Sequence, residues 1–129
     1  MGDCLFCKII KGEIPSTKVY ENEYVYAFND IHPAAPVHVL VIPKKHIESL
    51  NDVTEENVMY VAEIMKAIKE IAKIVDIHDK GYRVITNTGN DACQVVKHLH
   101  FHLLGGKNLG EKIISKDNYL EYNYLENDK

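Results

Sequence analysis

The segment His98-Leu-His-Phe-His-Leu-Leu104 sets histidine at every second position of an apolar run. In an extended strand successive side chains point to opposite faces, so three imidazoles would line one face while Leu99, Phe101 and Leu103 bury the other. A merely solvated outer face seldom repeats histidine three times running, so this pattern predicts a strand over 95–104 with one core face and one chemical face. Gly105-Gly106 closes it.

The rest of the chain surrounds that strand with a small set of elements. Leu5, Phe6, Ile9 and Ile10 have helical spacing and Gly12 is a stop, which predicts a short N-terminal helix. Val19–Glu21 and Tyr24–Phe28, separated by Asn22-Glu23, read as a hairpin, and His38–Ile42 reads as a buried strand ended by Pro43. Apolar residues at 58, 61, 64, 68, 71 and 75 recur every three or four positions. With Thr54 as N-cap and Glu55 and Glu56 at its positive end, they predict the long helix. Arg83–Thr86 is a further strand, and a Gly/Asn/Asp loop fills 87–94. Helix, strands, helix, strands is the order of an α+β domain in which an antiparallel sheet packs on one main helix.

At 129 residues the chain is of single-domain length. Hydrophobic residues are 46% and charged residues 26%, ordinary globular usage that suggests neither disorder nor a membrane protein. A net charge of -4 argues against tracking a polymeric nucleic acid, which requires many phosphates to be neutralised, but leaves small anionic ligands open. An odd number of cysteines and no visible secretory signal lead us to expect a cytoplasmic protein.

The histidine face admits two kinds of chemistry. Neutral imidazole is a nucleophile and an acid or base near pH 7, so His100 can attack while His102 donates a proton. Alternatively, residues two apart on a strand can chelate one ion, as in a His₃ catalytic zinc site. The preceding turn, Asn87–Gln94, offers amide and backbone N–H donors that suit an anion, which favours phosphate over metal-bound water. Cys4 and Cys7 form a C-x-x-C, half of a tetrahedral zinc site that needs two further ligands. His32, His38 and His78 carry no motif and read as surface or satisfied core residues.

His98–Leu104 is similar to the His-φ-His-φ-His-φ-φ motif of the histidine triad (HIT) family, where φ is apolar. Leu5-Phe-Cys-Lys-Ile-Ile-Lys-Gly-Glu-Ile-Pro15, Ala27-Phe-Asn-Asp-Ile31, Leu40-Val-Ile-Pro-Lys-Lys-His-Ile47, Lys80-Gly-Tyr-Arg83, and Asn87 with Gly89 and Gln94 extend the likeness over about the first 106 residues. The chain resembles the Hint-type phosphoramidase branch. That resemblance implies a HIT-like fold, an antiparallel meander sheet with one long helix and a short N-terminal helix, continuous across a homodimer. It also implies hydrolysis at the α-phosphate of purine nucleotides through a nucleotidyl-histidine, with a purine nucleoside monophosphate or its phosphoramidate or phosphoester conjugate as ligand. His100 would be the nucleophile, and His102 the proton donor and phosphate ligand. Asn87, Gln94 and the amides around Val95 would hold the phosphate and leaving group. Asp30 would hold the ribose, and Phe6, Ile9, Phe28 and Ile31 would flank the base. Cys4, Cys7, His46 and His98 would hold a structural zinc, with no metal required for the chemical step. Dinucleoside polyphosphate hydrolysis, or a zinc-stabilised nucleotide-binding module with little turnover, are the alternatives.

Three positions depart from that pattern: Val95 stands where the branch usually has Ser, and Ala92 and Cys93 where it has Gly. With the hydroxyl donor missing, weaker or redirected leaving-group chemistry is expected. Residues 107–129 contain a near-repeat, Asn118-Tyr-Leu-Glu-Tyr and Asn123-Tyr-Leu-Glu-Asn, that does not match the family. They read as a tail beyond the domain at 1–106, docked on a partner or loosely ordered.

Overall fold

A computed structural model describes residues 3–113. The strands β1 (Lys18–Glu21), β2 (Val25–Asn29), β3 (Val37–Pro43), β4 (Arg83–Ile85) and β5 (Phe101–Gly105) form one antiparallel sheet in the order β1-β2-β3-β5-β4. The first three run as a meander. β5 then inserts beside β3, leaving β4 at the edge.

Strand parity divides the sheet into two faces. Val25, Ala27, Val39, Val41, Phe101 and Leu103 are buried on one side against α2 (Val58–Ile74). That helix contributes Ile64, Ala67, Ile68, Ile71 and Ala72, a stripe at positions i, i+3, i+4, i+7 and i+8. The two alanines let the helix axis sit close to the sheet. On the opposite face Tyr26, Phe28, Leu40 and Ile42 pack with Phe6 and Ile9 of the six-residue α1 (Leu5–Ile10). A helix so short is unstable alone and depends on this docking. Gly12, at φ +81°, lets the chain turn away after it.

Two expectations change. The long helix begins at Val58, with Asn57 rather than Thr54 at its N-cap position. Residues 54–57 form a separate turn, closed by Asn57 N–H to the Thr54 carbonyl (3.2 Å) and by Thr54 N–H to Asn57 Oδ1 (2.7 Å). The Asn57 side chain is thereby committed to the turn and makes no cap bond to the helix. The histidine strand is also shorter than 95–104. Regular pairing begins at Phe101, because Leu99 N–H donates instead to the Ile47 carbonyl (2.6 Å) and Thr86 Oγ1 donates to the His100 carbonyl (2.7 Å).

Residues 107–113 run on past β5, where Arg83 donates to the Gly110 carbonyl (2.7 Å). The tandem near-repeat expected as a tail lies outside the described residues. No helix among the described residues is long and apolar enough to cross a membrane.

Gly105 ends β5 with no room for a side chain: a Cβ there would stand 3.0–3.2 Å from the branched side chain of buried Ile77. Overpacking of this kind costs about 1–3 kcal/mol. Gly105→Ala should therefore lower the urea midpoint by a corresponding amount without altering the denaturant slope.

Candidate active site and metal centre

The three histidines keep the alternation predicted for them although only His102 lies in a regular strand. Leu99, Phe101 and Leu103 are buried in the α2-side core, and the imidazoles project to the α1 side. The face is shared, but the surroundings of each ring differ. His98 is fully buried, His100 nearly so, and His102 half-buried.

His98 turns toward the N-terminus. Its Nε2 donates to the Pro43 carbonyl (2.9 Å), so Nδ1 presents its lone pair to Cys4 Sγ (3.3 Å) and Cys7 Sγ (3.6 Å). His46 Nδ1 stands 3.3 Å from Cys7 Sγ, and the four donor atoms lie within 4.8 Å of one another. A tetrahedral ion with bonds of about 2.3 Å to sulfur and 2.0 Å to nitrogen has an S···N edge of about 3.5 Å, close to the spacings found. A metal-ligating histidine commonly donates its other N–H to a carbonyl, as His98 does. Burial, then the Cys4 sulfur, push the Cys7 thiol up to about 11, and burial pushes His98 down to about 4. A Cys7 thiol that resists ionising and a buried His98 imidazole that resists protonation are groups that a bound cation would relieve, by favouring the thiolate and the neutral ring. This cluster can hold a metal. Cys4 also caps α1, because its Sγ accepts the Cys7 N–H (3.3 Å).

His100 turns the other way. Its Nδ1 is 2.7 Å from the His98 carbonyl, which can only accept, so that nitrogen carries the proton and Nε2 keeps its lone pair. Phe6 packs edge-on against this ring, 5.2 Å between centroids, and also against His98 at 5.9 Å. His102 stands beside it, with centroids 5.2 Å apart, opposite Leu40 of β3 and Ile85 of β4. Burial and the flanking His100 and His38 rings push His102 down to about 4, and burial lowers His38 as well. Both rings are neutral at physiological pH. The three triad histidines do not converge on one ion, so a His₃ zinc site does not form.

His38, which carries no sequence motif, proves to belong to the site. Its Nε2 is 2.9 Å from His102 Nδ1 and 3.4 Å from Asp30 Oδ2. The signal that could reveal it is parity: His38 lies two residues before Leu40 in a strand paired with β5, so it must share a face with His102. Thr86 likewise has no motif, although its hydroxyl holds the backbone between His100 and Phe101.

Asp30 sits where β2 ends, and its Oδ1 accepts the His32 N–H (2.8 Å). Phe6, Ile9 and Phe28 are buried in the α1-side cluster, whereas Ile31 is 85% exposed. Asn87 is half-buried at the start of the 87–94 loop. Gln94 is buried and committed to that loop. Its Oε1 accepts the Gly89 N–H (3.0 Å), and its Nε2 donates to the Glu48 (2.7 Å) and Val96 (3.1 Å) carbonyls. Val95 follows it, 85% exposed. Cys93 adopts φ +59°, a left-handed conformation that glycine takes without strain, which accounts for the glycine usual at that position.

A single sheet with helices on opposite faces and a histidine-lined patch on one of them defines an α+β protein whose polar groups gather on the α1 side. The sequence matches the HIT domain over residues 11–109. It is 42% identical over 114 residues to a purine nucleoside phosphoramidase of Escherichia coli, covering 88% of this chain and 96% of that one. It is also 42% identical over 112 residues to an adenosine 5'-monophosphoramidase of Candida albicans, covering 82% and 72%. A solved HIT family hydrolase from Clostridium thermocellum superposes with a TM-score of 0.86 at 53% identity, covering 88% of this chain and 99% of that one. The chain belongs to the HIT family.

Because the fold holds His38 and His102 below the ordinary histidine value, the unfolded chain takes up protons that the folded one refuses once the pH drops under about 6.5. Stability should be flat above that pH and fall as it approaches 4. Urea midpoints measured from pH 7 to 4.5 should decline, and His102→Asn should flatten the decline.

Proposed function

We propose that this protein is a nucleotide hydrolase that cleaves the bond between the α-phosphate of a purine nucleotide and an amine or related leaving group, through a nucleotidyl intermediate on His100. The observation that carries this reading is the His98 carbonyl 2.7 Å from His100 Nδ1, which leaves Nε2 free as a nucleophile. The phosphoramidase activities in the names of the Escherichia coli and Candida albicans relatives support it.

In the first step His100 Nε2 bonds to phosphorus as the bond to the leaving nitrogen breaks, and that nitrogen departs as the amine by taking a proton from a water molecule. The ring becomes an imidazolium whose remaining proton stays on Nδ1 against the His98 carbonyl. The hydroxide so formed then bonds to phosphorus and the bond from phosphorus to His100 Nε2 breaks, returning neutral His100. In the overall balance, water supplies the hydroxyl of the nucleotide product and one proton to the departing amine. Neutral His102 serves as hydrogen-bond donor to the phosphoryl oxygens, and the step gains chiefly from positioning and fixed dipoles.

Asp30 is assigned to the ribose hydroxyls, since a carboxylate retains lone pairs beyond those its local bond uses. Exposed Ile31 offers the free apolar surface for a purine, with Phe6, Ile9 and Phe28 as the wall behind. Asn87 and the Val95 amide face the phosphate and leaving group, with Gln94 holding their loop in shape. Cys4, Cys7, His46 and His98 are assigned to zinc, which supplies a structural crosslink between α1 and the sheet. We also assign the chain to a homodimer; the edge position of β4, with Val84 exposed, supports this.

Incubation with an adenosine phosphoramidate should release amine and AMP, and His100→Ala should abolish the reaction and the labelled protein intermediate. Equal rates in the two proteins would falsify covalent catalysis at His100. Native mass spectrometry of protein purified without chelator should show one zinc per chain, and Cys7→Ala should lose both the zinc and several degrees of melting temperature. Protein that is fully folded and metal-free when so purified would overturn the zinc assignment.

A further inference from the structure

We propose that the backbone N–H of Ala34 fixes the polarity of the His38–His102 pair, so that His102 presents a hydrogen-bond donor, never a lone pair, to the reacting phosphate. This rests on the phosphoryl chemistry proposed for the histidine face.

The Ala34 N–H lies 2.9 Å from His38 Nδ1. An amide nitrogen can only donate here, so Nδ1 is unprotonated and the proton of neutral His38 sits on Nε2. That proton points along the 2.9 Å contact to His102 Nδ1, which must therefore accept. The proton of neutral His102 is left on Nε2. Reversing the pair would set two donors against each other at Ala34, and adding a proton to it would break one of the two hydrogen bonds.

Tautomer polarity also separates this group from the cysteine cluster. Asp30, His38 and His102 gather closely enough to be mistaken for a metal site. Yet ligation through His38 Nε2 would require the proton to move to Nδ1, which the Ala34 amide occupies. At His98 the outer nitrogen meets a carbonyl and the inner one is free for a metal. At His38 the outer nitrogen meets an amide and the inner one holds a proton.

One loop, residues 30–36, controls the pair. Asp30 N–H donates to the His38 carbonyl (2.9 Å), Ala34 N–H to its Nδ1, and Asp30 Oδ2 stands 3.4 Å from its Nε2. The loop also carries Asp30 and Ile31, assigned above to the nucleoside. Nucleoside recognition and placement of the donor proton thus share a single segment, with Ala34 as a positioning residue.

Long-range ¹H–¹⁵N correlation of the full chain labelled with ¹⁵N-histidine reports which ring nitrogens are protonated. His38 and His102 should each show a protonated Nε2 and an unprotonated Nδ1. Protonation of His102 at Nδ1 would overturn the proposal, whether or not the protein turns over a phosphoramidate. In Ala34→Pro, which lacks the N–H, the His102 Nε2 signal should shift toward the unprotonated position. The kcat for an adenosine phosphoramidate should fall roughly ten- to a hundredfold, while KM, set by Asp30 and Ile31, changes far less. Unchanged tautomers in that variant would refute the role of Ala34.

Discussion

The antiparallel register between β3 and β5 is the constraint on which both the core and the site depend. Leu40 lies opposite His102 and Val39 opposite Leu103, so one parity of each strand faces α2 and the other faces α1. A slip of one residue would carry the histidines into the main core and expose Leu103. The register is held by burial on both faces: Val39, Val41 and Leu103 are inaccessible on one side, while Leu40 and Ile42 are covered by α1 on the other. Fixing the strand this way fixes the His102 ring to within a side-chain rotation, while the Leu99–Ile47 and Thr86–His100 bonds hold the backbone of the segment just before it.

Within that frame the histidines are differentiated by what their second nitrogen meets. Backbone carbonyls at Pro43 and His98 determine which nitrogens of His98 and His100 keep lone pairs: Nδ1 of His98, which faces the cysteines, and Nε2 of His100. Side chains of identical intrinsic chemistry thereby acquire different roles from the backbone around them. The cost of burying them is met by these bonds, each satisfying a polar atom that would otherwise be stranded.

Much of this is legible in the chain. The alternation over 98–104 sets the faces, the 3.6-residue period marks α2, and Cys4, Cys7, His46 and His98 gather as the family resemblance implies. The limits of legibility have physical causes. Thr54 looks like a cap because its type suits one, but the chain closes a separate turn there using Asn57. The strand reads as starting at 95 because side-chain alternation survives where ladder pairing does not. His38 is silent because a lone histidine in an apolar run announces nothing until its strand is paired with its neighbour. Gln94 has the look of a ligand contact, yet its amide is consumed by the loop, a use that depends on the Glu48 and Val96 carbonyls and leaves no trace in local sequence.

The two apolar clusters on either side of the sheet share no side chain. Along β3, Val39 and Val41 belong to one, and Leu40 and Ile42 to the other. The sheet therefore separates two packed layers, each built from one set of alternate residues of the same strand. A volume change in one layer is therefore felt first by its own helix, α2 or α1, and reaches the other layer only through the backbone of the shared strands.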